Sequence, residues 1–279
     1  MTTRIPETRR GLASTGLLLV LLTFVSSGFG QTFGPNTMRF DRISVADGLA
    51  QSAVMAIEQD QSGFLWFATE SGLDRYDGYT FKHYRHERGN PNSLASDFVR
   101  DLDLADDGSL WIATDGGGIS RWDPATDTIT TYRSVEADKT SLATDGIRTI
   151  LAGDDGFVWI GTRDSGLDRL NTVTKEVTHF VRLPDDPDSI SNNEIFALAL
   201  DGKDSLWIGV NGGLNRLELS TGRITRLPFD PANSHDLADD IVRSLLFSSD
   251  GTLWVGTETS GLVAVDPLTG AARHFVHDP

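Results

Sequence analysis

The sequence DGSLWIATDGGGISRWD, Asp107–Asp123, has four close counterparts elsewhere in the chain. Each of the five stretches places a tryptophan in a short apolar run and follows it with a turn and a glycine. These tryptophans are Trp66, Trp111, Trp159, Trp207 and Trp254, at intervals of 45, 48, 48 and 47 residues. A nearly constant period of this size indicates an array of equal supersecondary units.

The pattern within one unit predicts four strands. Between residues 99 and 133, the runs VRDLDL, LWIAT, GISRWD and TITTYR are rich in β-branched and aromatic residues and are separated by turn residues. Asp-Gly pairs before the tryptophan run are a hairpin signal. Four antiparallel strands per unit are typical of a β-propeller blade, with the tryptophan filling the space between blades. We therefore predict an all-β fold with blades near 53–86, 98–133, 146–182, 194–229 and 241–278.

Composition excludes several classes of function. The 279 residues include no cysteine, so disulfides, thiolate metal sites and thiol nucleophiles are ruled out. The formal charge is −16, and Lys and Arg form no basic stripe. Nucleic acid would be repelled by such a charge, so we expect no nucleic-acid partner.

The N-terminus has the order of a secretory signal peptide. Three arginines in residues 1–10 precede the apolar run Leu17–Val25, and small residues follow it. We assign residues 1–30 to this signal, with Arg9-Arg10 leaving a twin-arginine signal open, and residues 31–279 to the propeller. The protein is then expected in the periplasm or outside the cell.

The repeated unit resembles a known family. The pattern [LVF]-W-[IV]-[GA]-T-x-x-x-G-[LI]-x-R, with connectors such as Asn90–Leu94, is similar to the two-component regulator propeller repeat, and so is the opening Phe40–Gly78. The resemblance implies the extracytoplasmic sensor head of a hybrid histidine kinase or a diguanylate cyclase, with an oligosaccharide as the ligand. It also implies a membrane span and an output domain beyond residue 279, an anchor in the inner membrane, and scope for a homodimer of the longer protein.

Strand counting predicts an incomplete propeller. MRFDRIS, residues 38–44, reads as a lone strand before the first complete unit, and the fifth unit already has its own fourth strand. The lone strand is then expected to pair with a later blade, in a propeller of about seven blades. Closure of five blades on their own is the alternative.

Two sets of residues are candidates for a ligand site. One is a shared position near the start of each innermost strand, predicted to ring the channel mouth. Its arginines and large apolar groups suit a sugar acid or a sulfated sugar. The alternative is that each arginine pairs with an acidic neighbour such as Asp101 or Asp240. This position is occupied by Met55, Arg100, Arg148, Phe196 and Arg243.

The second set lies in the loops between the second and third strands, which vary within a repeated frame. Such variation is expected of a ligand face, and also of neutral drift in surface loops. The candidate residues here are Glu70, Asp115, Arg163, Asp164, Asn211 and Glu258.

Catalytic motifs are not found in the sequence. It has no nucleophile elbow, zinc-protease motif or EF-hand spacing, so we assign no catalytic, metal-binding or cofactor-binding residue. A ligand-sensing module without enzyme activity is the function that we predict. A secreted carbohydrate-active or lyase-type enzyme and a secreted binding scaffold remain the alternatives.

Overall fold

The computed structural model describes residues 40–153, 155–227 and 240–276. The chain divides into the units 1–42 and 43–279, and the three described residues of the first unit form no helix or strand. In the second unit, a short 3-10 helix, Val45–Asp47, precedes the strands. The strands are β1 (Val54–Gln59), β2 (Leu65–Thr69), β3 (Gly72–Tyr76), β4 (Phe81–Tyr84), β5 (Val99–Leu104), β6 (Leu110–Thr114), β7 (Gly118–Asp123), β8 (Thr128–Tyr132), β9 (Ile147–Ala152), β10 (Phe157–Thr162), β11 (Leu167–Asn171), β12 (Val177–Phe180), β13 (Ile195–Leu200), β14 (Ser205–Val210), β15 (Gly213–Glu218), β16 (Ile224–Arg226), β17 (Val242–Phe247), β18 (Leu253–Thr257), β19 (Leu262–Val265) and β20 (Ala272–Phe275).

The strands form five separate antiparallel sheets, which confirms the predicted all-β fold. Each sheet contains four consecutive strands in sequence order, so blade 1 is β1–β4 and blade 5 is β17–β20. The first strand of every blade packs against the first strand of the next blade. These five inner strands, β1, β5, β9, β13 and β17, therefore line the middle of the array.

The tryptophans pack between the blades, as predicted. Trp66, Trp111, Trp159 and Trp207 are at most 1% exposed. Each lies in an apolar cluster that draws residues from two successive blades; Trp66, for example, shares a cluster with Leu110 and Ile112 of blade 2. The core is thus a series of interfaces between blades, and it holds each inner strand at a repeated position.

The two ends of the array are open. In blade 5, Trp254 is only half-buried and Phe275 is 37% exposed. Leu262 is 41% exposed, whereas Leu73 and Leu167, at the same position of blades 1 and 3, are fully buried. At the other end, Ile57 of blade 1 is exposed. Across the described ranges, β1 and β17 are not packed together. Five blades therefore form an open, propeller-like arc.

The lone strand at 38–44 stays a prediction, because the later blade with which it is expected to pair is not among these five. Residues 40–44 belong to no strand, and Met38 and Arg39 lie outside the described residues. The chain turns at residues 44–47, where the carboxylate of Asp47 accepts hydrogen bonds from the backbone N–H and the hydroxyl of Ser44. The predicted signal peptide, 1–30, also lies outside the described residues. None of the helices in the described part is long and apolar enough to cross a membrane.

Candidate functional site

Each inner strand carries a β-bulge at its second residue. In β5, Val99 pairs with Thr114 and Asp101 pairs with Ala113, so Arg100 between them faces no partner. The same irregularity occurs in the other four inner strands. A bulge leaves its extra residue outside the ladder and turns that side chain in a new direction. The five bulged residues are Met55, Arg100, Arg148, Phe196 and Arg243, which is the position that the sequence predicts to ring the channel mouth.

Asp115 holds two of the arginines of this face. Its Oδ2 atom accepts a hydrogen bond from Nη2 of Arg100 and another from Nη2 of Arg163, both at 2.7 Å. Arg100 belongs to blade 2 and Arg163 to the β10–β11 loop of blade 3. A backbone bridge between Asp115 and Gly146 holds the two blades in register at this point. One carboxylate therefore compensates two guanidinium groups.

Phe196 lies between two further arginines. The Cζ atoms of Arg148 and Arg243 lie 4.0 and 4.7 Å from the centre of its ring. Arg243 also donates a hydrogen bond to Glu258 at 2.8 Å. Arg148 has no such bond: its ion pair with Glu194 is 4.0 Å long, and its buried Nη1 atom has no hydrogen-bond partner among the described residues.

The arginines of this face repel one another. Burial lowers the pKa of Arg148; Glu194 opposes this effect, and the charges of Arg163, Arg243 and Arg100 add to it. Four guanidinium groups and three carboxylates, Asp115, Glu194 and Glu258, give this face a net charge of +1 in a chain of charge −16. We call these seven charged residues and Phe196 the arginine face. It is suited to an additional anion.

Each bulged arginine lies beside a carboxylate, as the alternative drawn from the sequence expects, but Asp101 and Asp240 are not those carboxylates. Asp101 accepts a hydrogen bond from the backbone N–H of Ile150, and Asp240 accepts hydrogen bonds from Thr259 and Ser260. Neither carboxylate pairs with a bulged arginine. The arginines bind carboxylates of the loops and connectors instead, because the bulge directs them out of the sheet.

The candidate loop residues are only partly brought together. Asp115, Arg163 and Glu258 belong to the arginine face, and Asn211 lies beside it, with its backbone N–H donating to the carbonyl of Glu194. Glu70 contacts Gln51 in blade 1, and Asp164 contacts its neighbour Ser165. Within the described part of the chain, neither forms a hydrogen bond or an ion pair with the arginine face.

Sequence reasoning missed Glu194 and a group of inner-strand carboxylates. Glu194 comes directly before β13, at the position that Phe98 occupies before β5. The repeat therefore places Glu194 two residues from the bulged Phe196, and this spacing was the signal in the sequence. Asp101 and Asp103 alternate along β5, which places both on one face of the strand. Burial raises the pKa of Asp103 to about 7; the hydrogen bond from Ala152 opposes this effect, and the charges of Glu58 and Asp101 add to it. Burial also raises the pKa of Asp101 and of Glu58.

These carboxylates join blades rather than surround an ion. Asp101 and Asp103 accept hydrogen bonds from the backbone N–H groups of Ile150 and Ala152 in β9, at 3.0 and 2.5 Å. Within the described ranges, no group of three or more His, Asp or Glu residues is arranged to hold a metal ion. Their arrangement supports a role in the interface between blades 2 and 3.

Comparison with known proteins identifies the repeat. The family model described as "Two component regulator propeller" matches residues 48–71 and 236–259. A 56-residue stretch is 45% identical to histidine kinase P4 of Formosa agariphila; it covers 20% of this chain and 4% of that protein. The local match therefore extends over a small part of a much longer relative.

Solved structures share the fold over most of the chain. The extracellular domain of the hybrid two component system BT3049 from B. thetaiotaomicron aligns with a TM-score of 0.72 and 26% identity over 84% of this chain and 31% of that one. The extracellular domain of BT4673 from the same organism gives 0.67 and 24%, over 82% and 30%. The chain thus spans about a third of the length of these structures. PorZ of Porphyromonas gingivalis, a surface component of the type-IX secretion system, shares the fold alone, with a TM-score of 0.61 and 17% identity.

Proposed function

Since the chain carries repeats of the two component regulator propeller family, we propose that it is the ligand-sensing extracytoplasmic module of a bacterial signal-transduction protein. It binds a small ligand and relays the binding to a kinase or cyclase domain. The observation that carries the proposal is the arginine face, where variable residues of four blades converge on a repeated scaffold. Rigid frames that present variable loops are frequent carriers of binding function.

An oligosaccharide is the ligand that we propose. Phe196 is half-buried with Arg148 and Arg243 over its ring, so it offers a sugar an apolar edge, and the guanidinium groups beside it are donors to sugar oxygens. Family resemblance supports the same class of ligand by analogy only.

Binding is tested on the purified full chain. Defined oligosaccharides of several sugar types are titrated by calorimetry, and the same mixtures are followed by chromatography for shortened products. Binding of a saccharide without any change in its length is the expected result. A panel in which no saccharide binds would overturn the proposed ligand class.

A carbohydrate-active enzyme is the second candidate, and one observation favours testing it. Asp103 has its pKa raised to about 7 by burial, with Glu58 among the neighbouring charges. Paired carboxylates with displaced pKa values are the usual acid and base of glycan-cleaving sites. Cleaved products in the chromatography, abolished by Asp103→Asn, would favour this candidate over the sensor.

The signalling part of the proposal has its own test. The genomic reading frame that contains this sequence is expected to encode a membrane span and a histidine kinase or diguanylate cyclase domain downstream of the repeats. A frame without either element would remove the transmitter and favour a secreted binding scaffold. Localisation in the periplasm and dimerisation of the longer protein are parts of the same proposal.

A further inference from the structure

Among the described residues of the arginine face, Arg148 is the arginine without a hydrogen bond to a carboxylate, although Arg100 also has a buried nitrogen, Nε, without a partner. Arg100, Arg163 and Arg243 each donate a hydrogen bond of 2.7–2.8 Å to a carboxylate. Arg148 lies only 4.0 Å from Glu194, and its buried Nη1 has no hydrogen-bond partner among the described residues. A buried donor without a partner is costly, and the Arg148 side chain is 26% exposed, so an acceptor that reaches its guanidinium group gains more than it would at an arginine already paired.

Its surroundings specify the chemistry of that group. Arg100, Arg163 and Arg243 all lie near enough to act electrostatically on Arg148, so an anion beside its guanidinium group meets four positive charges and the three carboxylates that partly compensate them, a net charge of +1. Arginine forks bind the planar oxygens of carboxylates and the oxygens of sulfate esters in the same way. The carboxylates already present are bound to other arginines or stand 4.0 Å away.

Phe196 adds an apolar surface beside this charge. Because Arg148 and Arg243 lie against its ring, the phenyl group is held in place between two cations. An occupant that carries a negative group and an apolar ring face would use both elements, whereas an inorganic anion would use only the charge. A sugar ring with a carboxylate or sulfate substituent has both.

We infer that the arginine face is a binding site for an anionic saccharide, whose carboxylate or sulfate group bonds to Arg148 while its ring packs near Phe196. The inference rests on the proposed function and narrows its ligand class. It also assigns unequal roles: Arg148 binds the anion directly, and Asp115 holds Arg100 and Arg163 in position beside it. The net positive charge of the face then selects against neutral sugars.

The first experiment compares matched saccharides. Calorimetry on the full chain uses a galacturonic acid trisaccharide, a sulfated galactose trisaccharide and the neutral galactose trisaccharide, with sodium sulfate as an inorganic probe, all at one ionic strength. We expect an anionic trisaccharide to bind at least about tenfold more tightly than the neutral one, as one charge-assisted hydrogen bond would give. The first two probes also tell a carboxylate ligand from a sulfate ligand.

The second experiment tests the residues. Arg148→Gln is expected to weaken binding of the anionic saccharide by about tenfold or more, and Arg148→Lys to restore part of that affinity. Phe196→Leu is expected to weaken binding of the saccharide without changing binding of sulfate. Arg121→Gln is the matched control, because Arg121 of β7 also pairs with a carboxylate, at 2.8 Å, but this is Asp107 in the β5–β6 turn, at the other end of the blade. Arg243→Gln, on a more exposed side chain, repeats the test should Arg148→Gln fail to fold.

The outcomes separate this inference from the proposed function. Equal binding of neutral and anionic trisaccharides, unchanged in Arg148→Gln, overturns the anionic ligand and leaves an oligosaccharide sensor standing. Binding that is lost equally in Arg121→Gln overturns the assignment to the arginine face. If no anionic probe binds at all, the inference is wrong, and the wider saccharide panel then decides the proposed function.

Discussion

Asp103 in the second inner strand accepts a hydrogen bond from the backbone N–H of Ala152 in the third, with 2.5 Å between Oδ2 and nitrogen. Burial, increased by the charges of Glu58 and Asp101, raises the pKa of Asp103 from 3.8 to about 7. Between these two pKa values the folded protein holds a proton that the unfolded chain has released. The contribution of Asp103 to the free energy of unfolding is therefore greatest below about pH 4 and falls as the pH rises to 7.

We expect Asp103→Asn to flatten this dependence, because the amide keeps an acceptor oxygen for Ala152 but does not ionise. The wild-type free energy of unfolding should fall, relative to the variant, by up to about 1.4 kcal/mol per pH unit between pH 4 and 7. Urea denaturation at several pH values measures this slope, the change in the free energy of unfolding per pH unit. Asp106→Asn, on an exposed turn of the same blade, should retain the wild-type slope; identical slopes for all three proteins would contradict the assignment.

Gly166, which precedes β11, has a backbone φ of +88°, and a Cβ atom there would lie 2.3 Å from the carbonyl oxygen of Phe180. Gly166→Ala combines a left-handed backbone with a collision against β12, so we expect a loss of about 2–4 kcal/mol. Gly222 has a φ of +74° and open space around it. Gly222→Ala should therefore cost only about 1 kcal/mol, and equal losses in urea denaturation would show that the collision relaxes freely.

Trp111 and Trp254 occupy the same position in blades 2 and 5 but differ in burial. Trp111 is 1% exposed between two blades, whereas Trp254 is half-buried on the outer face of blade 5. We expect Trp111→Ala to cost about 3–5 kcal/mol of unfolding free energy and Trp254→Ala less than about 2 kcal/mol. Thermal unfolding of the two variants checks this, and a larger loss from Trp254→Ala would mean that its face is covered in solution.

Asp115 competes with any anion for the guanidinium groups of Arg100 and Arg163. Asp115→Asn removes this competition and raises the net charge of the arginine face by one unit. We therefore expect the variant to bind the galacturonic acid trisaccharide more tightly than wild type, by several-fold, with a stability loss of about 1 kcal/mol or less. Calorimetry gives the affinity; a weaker complex would mean that holding the two arginines in position outweighs the competition.

The blades were predictable because their signals are local and repeated. The tryptophan spacing, the Asp-Gly hairpins and the strand-like runs each recur within one unit, so five independent copies agree on one architecture. The register of Met55, Arg100, Arg148, Phe196 and Arg243 was predictable for the same reason. The lone strand at 38–44 has no repeat to support it, and it stays a prediction, since residues 40–44 have no partner strand in the described part of the chain.

The partners within the site were not predictable, because they depend on how successive blades meet. Asp115 and Arg163 are 48 residues apart and come into contact across a blade boundary. The bulge that turns Arg100 away from Asp101 has no signature in a single sequence. The sequence therefore favours the neighbouring carboxylate, Asp101, as the partner of Arg100. The raised pKa of Asp103 likewise depends on burial by blades 1 and 3.

The bulge on each inner strand has a consequence for how such a protein can evolve. A residue outside the ladder carries no cross-strand pair and lies outside the tryptophan clusters between blades. Methionine, arginine and phenylalanine all occupy this position in one chain, on backbones with the same irregularity. Substitutions can therefore accumulate at these five positions, one blade at a time, with little change in the free energy of unfolding. The backbone of the blades can therefore be conserved while the side chains at the bulges change.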